Sequence, residues 1–85
     1  MIEIKFEKNK SVAYDSSLQI GVCEFTEKEN TWNIIHTEVD SSYQGQGIAR
    51  KLVECVIENA KENNKHVVAD CSYAKNVIEK INNDV

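Results

Sequence analysis

Apolar and polar positions alternate along the first half of the chain. Ile2, Ile4 and Phe6 are separated by Glu3, Lys5 and Glu7, the period of a strand with one buried face. After a turn at Asn9 and Lys10, Val12 and Tyr14 place a short second strand over Ser11 to Tyr14, and Asp15, Ser16 and Ser17 turn the chain again. Leu18, Ile20 and Val22 share a phase that shifts to Cys23 and Phe25, which predicts a bulge near Gly21 in a third strand. Beyond the polar connection Glu27 to Asn30, Trp32, Ile34 and His36 alternate with Asn33, Ile35 and Thr37 in a fourth strand ending near Val39. Short polar connections join the four runs, as in an antiparallel meander.

The period then changes. Ile48, Ala49, Leu52, Val53, Val56, Ile57 and Ala60 recur at helical spacing, with Arg50, Lys51, Glu54, Glu58 and Lys61 opposite. Asn63 and Asn64 can take the left-handed conformation that closes such a helix. Val67 to Ala69 reads as a short buried fifth strand, and Ala74 to Ile81 as a second helix with Val77, Ile78 and Ile81 on its apolar side. Strand, glycine turn, helix, strand is a crossover unit whose two strands lie parallel in one sheet. The predicted fold is therefore mixed α/β, a single domain over residues 1–85.

Composition narrows the partners. With 41% hydrophobic residues, 85 positions suffice for one core. A formal net charge of -4 argues against a nucleic-acid binder, which would carry a basic face. It disfavours acidic lipid surfaces as well. No apolar run approaches the roughly 20 residues that cross a bilayer, so neither nucleic acid nor membrane is expected as a partner, and the expected location is cytoplasmic. Cys23, Cys55 and Cys71 are widely spaced and odd in number, which suits reduced thiols rather than a disulfide framework. With His36 and His66 they form no recognised ligand pair, so no metal is expected.

Two of the three glycines stand in Gln44-Gly45-Gln46-Gly47-Ile48-Ala49, between the fourth strand and the long helix. Glycine admits positive φ and close backbone approach, and a helix N-terminus adds partial positive charge, so successive N–H groups here can cradle an anion. A Walker A loop would need Gly-Lys-Ser/Thr after the second glycine, and none is present. A dinucleotide fingerprint would place a third glycine where Arg50 stands.

The pattern Gln/Arg-x-x-Gly-x-Gly/Ala, met by Gln44 to Ala49, resembles the acetyl-CoA loop of the GCN5-related N-acetyltransferases. His36-Thr37-Glu38-Val39 before the loop and Cys71-Ser72-Tyr73-Ala74 after strand five resemble a small subfamily of that fold, so the likeness runs from about Ile34 to Ile81. The resemblance implies that main-chain amides of Gln44, Gly45, Gln46, Gly47, Ile48 and Ala49 bind the CoA pyrophosphate. Val39 would hold the pantetheine arm, and Arg50 would stand either at the phosphates or on a solvated helix face. It also implies acetyl-CoA as cosubstrate and an amine as acceptor. Full-size relatives carry further helices between strands one and two that form much of the acceptor pocket, and this chain has no room for them.

Each candidate catalytic side chain has two readings. Cys71 is either a thiol beside the thioester, able to accept acetyl or relay a proton, or a small buried residue at a strand end. Tyr73 either protonates the departing CoA thiolate or packs against the helix. His36, on the strand face of Trp32 and Ile34, is a hydrogen-bonded core histidine or a base. Glu38, on that same face, is a general base or a solvated carboxylate. The expected activity is N-acetyl transfer. The competing expectation is a CoA-binding or protein-interaction module that keeps the cradle without the acceptor pocket.

Overall fold

The structure, a computed structural model, describes residues 1–83. One five-stranded sheet runs in the order β1 (Ile2–Glu7), β2 (Lys10–Asp15), β3 (Leu18–Lys28), β4 (Thr31–Val39) and β5 (His66–Ala69). The first four strands pair antiparallel and β5 joins β4 in parallel. A one-turn 3-10 helix at Ser41–Tyr43 leads to α1 (Ile48–Glu62), and α2 (Ser72–Asn83) follows β5. The mixed sheet with its crossover helix is the predicted class. Asn64 takes the expected left-handed backbone, with φ 57°, just past α1.

Both helices cover one face of the sheet. α1 crosses β1 to β4, while α2 lies beside it against β5 and β4. Ala13, Cys23, Phe25, Trp32 and Ile34 point from the strands into this layer, where Leu52, Val53 and Val56 of α1 and Ala74 and Val77 of α2 meet them. At one end the rings of Phe6, Phe25 and Trp32 stack, with Phe25 and Trp32 centroids 4.3 Å apart. An ion pair of 2.9 Å from Lys65 to Glu27 ties the α1–β5 turn to the same end.

Two bulges set the shape of the sheet. Ala13 faces Gly21 and Tyr14 faces Gln19, so Ile20 is the extra residue, beside Gly21 as the phase shift predicts. The second was not anticipated. Phe25 faces Ile34 and Glu24 faces His36, which leaves Ile35 without a partner in β4. An inserted residue turns every later side chain to the opposite face. Thr37 and Val39 consequently continue the helix-covered face, whereas His36 and Glu38 point away from the helices. The expectation that His36 and Glu38 share a face with Trp32 and Ile34 is thus corrected, and the core-histidine reading falls with it: the His36 side chain is 49% exposed.

Close packing at Gly21 holds β3, β4 and α1 together. A Cβ there would stand 3.1 Å from the Glu38 carbonyl oxygen, 3.2 Å from Leu52 Cδ1 and 3.3 Å from Val39 Cγ2. Gly21→Ala is expected to lower the unfolding free energy by about 1–3 kcal/mol through overpacking, read from urea melts. An unchanged midpoint would mean that the Glu38 carbonyl, Leu52 and Val39 all yield at no cost.

Candidate functional site

The site begins where β4 and β5 part. Their pairing ends at Ile34 with Ala69, and the Ile34 carbonyl accepts from both Asp70 N (3.0 Å) and Cys71 N (3.2 Å). Beyond this point β4 runs on to Val39 while the other chain turns into α2. The Asp40 N–H bonds to the Ile20 carbonyl at 2.8 Å. Main-chain groups alternate along an antiparallel strand, so those of Thr37 and Val39 point the other way, into the gap.

The gap widens into an open groove of about 450 Å³, lined by Thr37 and Val39, by Tyr43, Gln44, Gly45, Gly47, Ile48 and Ala49, and by Tyr73 from α2. Gln46 and Arg50 stand outside this lining, and Arg50 Nε lies 3.8 Å from Glu54 one turn along α1. Thr37 and Tyr43 belong to the groove but were not singled out from the sequence. Tyr43 carried a readable signal as a lone aromatic in a polar stretch just before the glycine turn. Its hydroxyl donates to Asp15 Oδ2 at 2.5 Å and so anchors the turn to the end of β2.

The glycines are required by conformation rather than by space. Gly45 has φ +85° and Gly47 φ +76°, and a Cβ at either would meet nothing within 4 Å. Gly47 caps α1 without a side-chain hydrogen bond, and the first turn of the helix holds no acidic residue. The N–H groups from Gly45 through Arg50 find no acceptor among the described residues, the next bond being Lys51 N to the Gly47 carbonyl at 3.2 Å. Unsatisfied donors at a helix N-terminus without an internal counter-charge make an anion site.

Cys71 stands where β4 and β5 part, half-buried and, like Gln46 and Arg50, outside the groove's lining. Its carbonyl accepts from Lys75 N at 3.0 Å, so it caps α2 just ahead of Ser72, and its Sγ lies 3.6 Å from Thr37 Oγ1. Burial pushes this thiol up, but hydrogen bonds with the Ala74 backbone, the Thr37 side chain and the Tyr73 and Thr37 backbones together outweigh it, and the pKa falls below its ordinary value. The other thiols behave oppositely. Burial pushes Cys23 up to about 11 and raises Cys55.

His36 and Glu38 sit on the far side of the sheet, hydrogen-bonded to each other at 3.3 Å. Both belong to the part of β4 that has lost its β5 neighbour. His66 opens β5 and is exposed. Among the described residues no cluster of His, Cys, Asp or Glu is arranged to hold a metal ion, and no helix is long and apolar enough to cross a membrane.

The comparisons agree with this construction. The family model described as GCN5-related N-acetyl-transferase matches residues 6–84, and the chain belongs to that family. A GCN5-like protein of Staphylococcus aureus, solved by NMR, is similar at 36% identity with a TM-score of 0.74, over 95% of this chain and 81% of that one. Two larger enzymes share the fold at lower identity. The ribosomal-protein-S18-alanine N-acetyltransferase of Escherichia coli gives 16% identity and a TM-score of 0.73, over 85% of this chain and 50% of that one. PaiA N-acetyltransferase of Thermoplasma acidophilum, solved with coenzyme A, gives 18% and 0.63, over 66% of this chain and 35% of that one. No curated protein sequence matches the chain.

The Tyr43 hydroxyl, ahead of the N-terminal ammonium, holds the Asp15 carboxyl below its ordinary 3.8. A depressed carboxylate pKa contributes stability that is present above the unfolded value and lost as pH falls through the folded one. Tyr43→Phe is therefore expected to raise the Asp15 pKa, and its stability deficit relative to wild type should shrink as pH drops below that range. Carboxyl-carbon NMR titration and acid unfolding curves check the two halves.

Proposed function

We propose that this chain is a single-domain, acetyl-CoA-dependent N-acetyltransferase that binds its cosubstrate in the groove between β4 and α2. The observation that carries this reading is the run of unbonded N–H groups from Gly45 to Arg50 at the groove mouth. These donors fit a diphosphate, which needs many hydrogen bonds and no protein anion nearby. The groups of Val39 and Thr37 that face the gap fit the amides of a pantetheine arm. Acetyl-CoA supplies an acetyl thioester, activated toward an amine.

The chain's own residues then have distinct tasks. A free N–H near the end of β4 holds the developing oxyanion. Glu38, or His36 beside it, takes the proton of an amine arriving from the uncovered side of the sheet. Tyr73 or Cys71 stands on the α2 wall to protonate the sulfur that leaves. The family membership, and the coenzyme A bound by PaiA on the same fold, support the choice of cosubstrate.

A second order of events is favoured by the lowered Cys71 thiol at the start of α2. Its thiolate would attack the thioester carbonyl and release CoA thiolate, and the amine would then take acetyl from sulfur. Intact-mass measurement after mixing with acetyl-CoA decides. One added acetyl group that vanishes in Cys71→Ala supports this order, and no adduct leaves direct transfer.

An NMR titration with acetyl-CoA should move the amide signals of Gly45 to Arg50 first. Gly47→Ala places a side chain at φ +76° and is expected to weaken CoA binding by roughly five- to thirtyfold. Thiol release with a panel of amines tests turnover. Binding without acceptor-dependent release would instead identify a CoA-binding module, and unmoved loop amides would defeat the proposal.

A further inference from the structure

A polar row crosses the helix-covered face of the sheet and ends in the gap. Ser11, Cys23 and Thr37 stand directly opposite one another on β2, β3 and β4, and Cys71 meets the row from the other wall. Ser11 Oγ donates to the Leu52 carbonyl of α1 at 2.7 Å. Thr37 Oγ1 donates to Cys23 Sγ at 3.6 Å and accepts from Cys71 Sγ at 3.6 Å. Ser11 and Cys23 are fully buried among apolar neighbours. A valine at position 37 would fill the same volume and suit a strand as well, so packing alone does not ask for the hydroxyl.

We propose that Thr37 is a positioning residue for Cys71: its hydroxyl, oriented by Cys23, fixes the thiol at the base of the gap and turns to donate to the sulfur once the proton has left for solvent. The proposal rests on the reading of the groove as the place of thioester chemistry. A hydroxyl has one hydrogen, and in the neutral state Cys23 receives it. Cys23, raised to about 11, stays a neutral thiol over the working range and does not compete for charge. When Cys71 becomes a thiolate it is the stronger acceptor, so rotation of the Thr37 hydroxyl adds a charge-assisted bond.

Other titratable groups surround Cys71 without replacing this contact. Asp70 precedes it and is held by Asn33 Nδ2 at 2.9 Å. Tyr73 and Lys75 are exposed on α2. His36 and Glu38 pair on the far side of β4. From α1 the groove receives Ile48 and Ala49, neither of which titrates.

The test is the rate of iodoacetamide alkylation at Cys71 against pH, followed by intact mass in a Cys55→Ala background with no cosubstrate present. Thr37→Val is expected to slow alkylation roughly fivefold below pH 8, the loss of one hydrogen bond to the thiolate, and to move the pH profile upward. Thr37→Ser should restore the wild-type profile. Thr37→Ala gives the same direction as valine and guards against a folding defect peculiar to either variant. Profiles of Thr37→Val and Thr37→Ala that overlay wild type would overturn the proposal, as would a serine variant that behaves like valine. Because the free protein is read, this outcome is separate from the acetyl-CoA titration of the loop amides, which tests the groove.

Discussion

The site depends on the loss of pairing between β4 and β5 after Ile34. Main-chain groups in a sheet are costly to leave unpaired when buried, yet β4 continues for a further stretch with those of Thr37 and Val39 facing no strand, the Thr37 backbone meeting the Cys71 thiol instead. The bulge at Ile35 lies at the point of parting. It gives one strand two characters, with Trp32 and Ile34 packed under the helices on one side of it and the half-buried Thr37 and Val39 bordering the groove on the other.

On the proposed reading, attraction for an anion comes from geometry rather than from net charge. The chain is acidic overall, and Arg50, the cation nearest the glycine turn, leans toward Glu54. What remains is a set of aligned peptide dipoles at the head of α1, a field that acts within about one helical turn. Such a field selects for a ligand that can approach the backbone closely. The left-handed glycines, with nothing within 4 Å of a would-be Cβ, leave that approach clear. Tyr43, bonded to Asp15, then keeps the turn in register with the sheet.

Much of this was legible beforehand because periodicity is a direct record of burial. The residues of β1 alternate strictly and their burial follows as far as Lys5, the phase shift in β3 revealed its bulge, and α1 shows a continuous apolar stripe. The glycine turn could be read from backbone requirements alone. The bulge in β4 was hidden because Ile34 and Ile35 are both apolar, and a doublet of this kind fits simple alternation as well as an insertion. That ambiguity carried His36 and Glu38 to the wrong face and kept Thr37 out of view. α2 starts at Ser72 rather than at the predicted Ala74, with Cys71 as its cap, a role that the usual oxygen-bearing caps would have announced more clearly.

The stacked rings at the opposite end of the sheet have a practical consequence. Trp32 is the only tryptophan in the chain and lies face to face with Phe25, on the paired side of the point where β4 leaves β5. Its fluorescence therefore witnesses the integrity of the scaffold and is largely deaf to events around the glycine turn. A ligand that binds only the folded chain would register as a displaced melt of this reporter rather than as a change in its emission before melting.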